Sequence, residues 1–180
     1  MHILPYFSAP AEFHPYDPQV VEVAGLLREA IQKVGPRLRV EHVGSTAVPG
    51  CGGKGVVDLA VLYPEGLLAR ARDVLDGLGF QKQGGREPWP EDRPMRVGSV
   101  AHHGRTYRIH AHVIALDSPE HGELIWFRDT LRRQPALMRQ YEAQKRAILQ
   151  SGITDSLDYS NAKGNFIIEA LKGRDIYTRE

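Results

Sequence analysis

Two segments place side chains capable of chemistry inside apolar strands. The first, VVDLAV, sets Asp58 between Val57 and Leu59. A carboxylate in such a run is costly to bury without a partner. On a strand, alternate residues share a face, so Val57, Leu59 and Val61 point one way and Val56, Asp58 and Ala60 the other. The first set is wholly apolar and belongs in a core. The second, with its carboxylate and small neighbours, suits a cleft, although an Asp58 bonded to a nearby loop would read the same way. The second segment, YRIHAHV, puts Arg108, His110 and His112 on one face and Tyr107, Ile109, Ala111 and Val113 on the other. Imidazoles at i and i+2 stand side by side, close enough to share an ion or a phosphate. A metal needs a third ligand, and Asp58 on a neighbouring strand could supply it. A pair of ordinary surface histidines is the plainer alternative.

Other residues could hold an anion. Gly44, Ser45 and Thr46 follow a strand, and a turn there offers backbone N–H groups and hydroxyls to a phosphate or carboxylate. An ST-turn capping its own backbone explains the same residues. Lys54, set among Gly50, Gly52, Gly53 and Gly55, could reach a phosphate or stand in solvent. The lysine lacks the following Ser or Thr of a Walker loop. Lys163 lies on a helical stripe with Tyr159, Phe166 and Ile167, where it could snorkel or cover the cleft. His102 and His103 fall in a turn, and Arg128, Arg132 and Arg133 form a basic run; both groups read as solvated.

Positioning these residues requires the following elements. DPQVVEVAGLLREAIQKVG opens with Asp17 as N-cap and Pro18 at the first helical position, with Val20, Ala24, Leu27, Ile31 and Val34 at helical spacing. LRVEHV and KGVVDLAVLY read as strands, and EGLLARARDVLDGLG as a helix ending before Gly79. QKQGGREPWPEDRP is turn-rich and reads as an exposed loop. MRVGSV and TYRIHAHVIAL form a hairpin about AHHGR. From about residue 118, three helices follow, SPEHGELIWFRDTLRRQ, PALMRQYEAQKRAILQ and SLDYSNAKGNFIIEALK. The sum is one α+β domain over 1–180, a mixed sheet flanked by helices with a helical C-terminal segment.

Composition narrows the partners. The chain has 180 residues, a formal net charge of +1 and 42% hydrophobic residues. Nothing there signals a nucleic-acid or membrane partner. The N-terminus carries no signal-peptide pattern, and no apolar run is long enough to span a bilayer. A single cysteine, Cys51, rules out an internal disulfide and fits the cytoplasm. A small anionic ligand or nucleotide is the expected partner; the oligomeric state stays open.

The segments EHVGSTAVPG…K…VDLAV, HAHV, FRDTLRRQPALMRQYEAQK and YSNAKGNFI, in this order, resemble the GrpB family. That family is nucleotidyltransferase-like and is placed in the polymerase-β-like nucleotidyltransferase superfamily. The resemblance implies a mixed-sheet core with a Gly-Ser turn followed by a strand of acidic metal ligands. In the active enzymes a spacer leads from Gly-Ser to Asp-x-Asp or Asp-x-Glu, with a third carboxylate on a later strand. Gly44 and Ser45 match the turn and Asp58 the first acid, with twelve residues between Ser45 and Asp58. Ala60 stands at the second acid, and the later strand offers His110 and His112 instead. The implied cofactor is a divalent metal: Zn²⁺, Mn²⁺, Ni²⁺ or Mg²⁺. One Asp with two His suits the softer ions, because Mg²⁺ prefers oxygen. The implied activity is transferase-like with an incomplete carboxylate set; a metal-dependent hydrolase on Asp58, His110 and His112 and a non-catalytic nucleotide-binding module are the alternatives. Cys51, Gly52, Gly53 and Gly55 depart from the usual family loop, which predicts a flexible, partly exposed loop around Lys54.

Overall fold

Pro18 enters the first helix with φ −63° and ψ −21°, already helical, while Asp17 Oδ1 accepts the Gln19 amide. The computed structural model describes residues 2–172. Helix α1 (Gln19–Val34) is followed by β1 (Arg39–Val43), a single 3-10 turn over Ser45–Ala47 and β2 (Val57–Tyr63). Then come α2 (Leu68–Gly77), β3 (Gln81–Lys82), β4 (Met95–His102) and β5 (Arg105–Ala115). Three helices close the chain: α3 (Pro119–Arg133), capped by Ser118, α4 (Pro135–Gln150) and α5 (Ser156–Lys172). The fold is the expected α+β arrangement, a five-stranded mixed sheet in the order β1-β2-β5-β4-β3. β2 and β5 run parallel and every other neighbouring pair antiparallel.

The apolar periodicities decide which face each helix covers. Val57, Leu59 and Val61 of β2 and Ile109, Ala111 and Val113 of β5 are buried together with Leu27 and Ile31 of α1 and Val74 and Leu75 of α2. On the other face, Val43, Ala60, Leu62 and Ile114 are buried against Leu124 and Ile125 of α3. Beyond α3, Phe127, Tyr141 and Phe166 join α3, α4 and α5, with ring centroids 5.3 Å apart at each step. Val34, expected on the α1 stripe, is instead 42% exposed at the last turn. The short strand β3, read from sequence as loop, exists only through its pairing with Val97 and Arg96 of β4.

The loop around Lys54 is partly exposed, as the sequence predicts, with Gly50 exposed and Lys54 and Gly55 half-buried, but its middle is pinned. Gly52 and Gly53 are buried. His14 exchanges two backbone hydrogen bonds with Gly53, at 2.7 and 3.0 Å. Glu142 Oε1 accepts the Gly52 amide at 2.6 Å, and Lys145, 1% exposed, donates to the Gly52 carbonyl and lies 3.4 Å from Cys51 Sγ. A Cβ on Gly52 would lie 2.4 Å from Phe13 Cζ. Glycine here permits close approach of neighbouring groups rather than motion.

The basic run on α3 is likewise engaged. Arg128 donates to the His42 carbonyl at 3.1 Å and pairs with Glu41 and Asp129, and Arg132 donates twice to the Ala47 carbonyl. Arg128 and Arg132 fasten α3 to β1 and to the 3-10 turn rather than standing free, whereas Arg133 is exposed, as expected.

Candidate functional site

The parallel register between β2 and β5 sets Asp58 opposite His110 and Ala60 opposite His112. Directly paired residues share a face, so the three side chains meet on one side of the sheet. Asp58 Oδ1 lies 3.5 Å from His110 Nδ1 and 3.6 Å from His112 Nε2. One ligand atom from each residue fits within a 4.8 Å set. Around a tetrahedral ion with Zn–N bonds of about 2.0–2.1 Å, neighbouring ligand atoms stand roughly 3.3–3.5 Å apart. The cluster therefore has the atoms and nearly the spacing of an Asp-His-His metal site.

Its surroundings orient it. His110 Nε2 lies 3.1 Å from the Tyr6 hydroxyl, so a ring that offers Nδ1 to an ion is steadied at its other nitrogen. The N-terminal segment carries Tyr6 there by pairing Leu4 with Ser99 of β4. Trp89 meets His112 edge-on, with centroids 5.5 Å apart, and Arg93 stacks on the Trp89 ring at 4.6 Å. Gly44 has φ 72°, and a Cβ there would lie 2.6 Å from Asp58 Oδ2. The Gly-Ser turn thus lets the backbone close on the carboxylate. Burial pushes the Asp58 carboxyl up, but the polar contacts and charge of His110 and His112 outweigh it and hold it well below the usual carboxylate range. Burial lowers His110 below the ordinary imidazole value despite the attraction of Asp58.

The cluster opens into a cleft with two lobes, of about 550 and 350 Å³, that share Asp58, Trp89, His112 and Lys163. The larger lobe holds Lys54, Tyr6 and His110. The smaller holds Ser45 and Gly44 at one side and the apolar Phe127 and Ile167 at another. Lys54 donates to Ser156 Oγ at 2.7 Å and lies 5.0 Å above the Tyr159 ring. Burial, with repulsion from Lys163, lowers Lys54 to about 8. So Gly44, Ser45, Lys54 and Lys163 line the same cleft as the Asp-His-His cluster.

Two expected ligand-binding residues do not. Thr46 is 6% exposed, donates to the Val56 carbonyl at 3.1 Å and meets His42 Nε2 at 3.0 Å, so its hydroxyl secures the turn. Arg108 is 8% exposed and donates to the Lys54 carbonyl at 2.8 Å, holding up the glycine loop. Tyr6 and Trp89 were not among the residues singled out from sequence. Tyr6 offers no local signal, whereas Trp89 is an aromatic stranded in a polar, proline-rich loop.

The family resemblance implies a second acid at the position of Ala60, and the structure leaves no room for one there. Ala60 is fully buried beneath Leu124 and Ile125 of α3. Glu41, beside Ala60 across the strand pair, turns to Arg39 and Arg128. The residues present do not fit a pair of magnesium ions held on bridging carboxylates.

Comparison with known proteins agrees with this fold. The family described as GrpB protein matches residues 10–173. A UPF0157 protein of Streptomyces coelicolor is 33% identical over 147 residues, which cover 82% of this chain and 74% of that protein. A UPF0157 protein of Pseudomonas aeruginosa is 36% identical over 139 residues, covering 76% of this chain and 55% of that protein, so the chain spans about half of that relative. Among solved structures, the conserved protein GrpB from Enterococcus faecalis superposes with a TM-score of 0.67 at 23% identity, covering 91% of this chain and 99% of that one. Cid1 in complex with its short product ApU superposes with a TM-score of 0.52 at 12% identity, covering 74% of this chain and 42% of Cid1. These likenesses show a fold shared with a nucleotidyltransferase.

Proposed function

The chain belongs to the GrpB family, and we propose that its cleft binds a divalent transition metal on Asp58, His110 and His112 beside a small anionic ligand. The observation that carries this reading is the approach of Asp58 Oδ1 to one nitrogen of each histidine, at 3.5 and 3.6 Å. Two nitrogens and one oxygen favour Zn²⁺, Mn²⁺ or Ni²⁺ over Mg²⁺. Bound there, such an ion supplies Lewis-acid polarisation of an oxygen on the ligand. The protein side supplies the rest. Lys54 and Lys163 neutralise a phosphate or carboxylate, Trp89 offers a flat apolar surface, and Tyr6 holds His110 in orientation. A nucleotide fits this description, since it pairs an aromatic base with phosphate, and Cid1, a neighbour in fold, was solved with ApU. The single cysteine, buried and unpaired, supports a cytoplasmic setting.

Ordinary magnesium-dependent nucleotidyl transfer is not part of this proposal. Asp58 alone cannot bridge two ions, and neutral imidazoles do not replace the missing negative charge. The test is pyrophosphate release from each nucleoside triphosphate with Mg²⁺ and candidate acceptors. No release above background is expected. Robust release abolished by Asp58→Asn would overturn the reading and restore full transferase chemistry. A hydrolytic role is the second reading, favoured by the three protein ligands, which leave further coordination positions toward the cleft.

A further inference from the structure

The opposite face of the sheet carries a second cluster. The β4–β5 hairpin turns through His103 and Gly104, with φ of 45° and 76°. Positive φ at both central residues marks a two-residue turn that usually takes Asn-Gly or Gly-Gly. Among the described residues His103 is the one non-glycine with positive φ. Turn chemistry alone does not call for an imidazole here, and a residue held in this region prompts a functional explanation.

The conformation lays the His103 ring against His102, with centroids 4.2 Å apart. Both rings aim Nε2 at Glu22 of α1: His102 Nε2 lies 3.3 Å from Glu22 Oε2, and His103 Nε2 4.0 Å from the same oxygen. The three ligand atoms fall within a 4.8 Å set, as they do in the cleft. The sequence reads His102 as solvated; its side chain is in fact 13% exposed. Its Nε2 is buried and makes no hydrogen bond, although the carboxylate is close. A buried polar nitrogen without a partner is costly, and a cation would supply the partner. The carriers of these ligands are already fixed together. Arg105 Nη1 and the Tyr107 hydroxyl both reach Asp17 Oδ2 at 2.8 Å, holding the hairpin on the start of α1.

We infer that Glu22, His102 and His103 form a second divalent transition-metal site, which clamps the hairpin tip to α1. Two imidazole nitrogens and one carboxylate oxygen suit Zn²⁺ with a further position left to water. His102 shares its sheet face with Val100 and Tyr107, which pack toward α1, whereas His110 and His112 face the cleft. The site is therefore independent of the first.

The test uses the full chain carrying Asp58→Asn, stripped of metal and titrated with Zn²⁺ against a chromophoric chelator near neutral pH. It is compared with the same chain carrying His103→Asn in addition. Asparagine adopts the left-handed conformation this turn needs, so the hairpin is kept while a ligand is lost. Loss of a ligand should weaken Zn²⁺ binding by about tenfold or more, since even outer-shell changes cost that much, and Glu22→Gln should do the same. The ring nitrogens of His102 and His103 should shift on Zn²⁺ addition in nitrogen-15 spectra of the Asp58→Asn chain. Unchanged affinity in both additional variants, or histidine resonances indifferent to Zn²⁺, would overturn the inference.

Discussion

One sheet face has two ends with opposite fates. Toward one end, Leu62 and Ile114, with Ala60 at the boundary opposite His112, lie dry beneath α3. Toward the other, Asp58, His110 and His112 are each 17 to 26% exposed and open into the cleft. The strand pattern is the same at both; what differs is the cover. α3, fastened to β1 by Arg128 and to the 3-10 turn by Arg132, seals the first end. Lys163 of α5 leaves the second open and lends it charge. Which strand positions can hold chemistry is thus decided by helices far away in sequence.

The largest expected effect comes from forcing the closed end to imitate the open one. Ala60→Asp would bury a carboxylate under Leu124 and Ile125, and chemical denaturation should show a loss on the order of 3 kcal/mol or more. It should also fail to create Mg²⁺ binding. A variant as stable as wild type would mean that α3 yields and that the sealed end is not sealed. Gly52→Ala should come next. Its Cβ meets Phe13, and overpacking of this kind costs about 1–3 kcal/mol. A neutral result in the same denaturation experiment would restore the flexible loop in place of the pinned one.

A smaller effect concerns charge in the cleft. Burial and the neighbouring Lys163 hold Lys54 at about 8. Below that pH its ammonium is charged and attracts an anion; an anion bound beside it raises its pKa. Affinity for a nucleoside monophosphate should therefore be greatest below pH 8 and fall as pH rises through that value, by up to about tenfold per unit. In Lys54→Met, calorimetric titration should give weaker binding without that fall. The same pH dependence in the variant would move the effect to another group.

The cleft was legible in the sequence to the extent that its parts lie on regular strands. Period-two alternation puts His110 beside His112 and aims Asp58 away from Val57 and Leu59, and those facts need no partner. The Gly-Ser turn could be read for the same reason, from Gly44 at the end of a strand. The parts that could not be read depend on distant contacts. Tyr6 reaches His110 across 104 residues, and Lys145 reaches Gly52 across 93. Arg108 shares a strand face with the histidines, as alternation says, yet its long side chain turns to the Lys54 carbonyl, and no local pattern records that. β3 has two residues, too few for any periodicity. The local sequence of AHHGR gave the hairpin, but the burial of His102 comes from α1.

The central claim is that the open end of the sheet takes a transition metal through Asp58 and two histidines, and metal stoichiometry tests it most directly. Metal-stripped wild type and Asp58→Asn are titrated in parallel with Zn²⁺ and with Mg²⁺, and the equivalents bound are counted. The account predicts one more tightly held Zn²⁺ in wild type than in the variant, with no comparable uptake of Mg²⁺ by either. Equal Zn²⁺ uptake by the two proteins, or a Mg²⁺ site lost with Asp58, would contradict it.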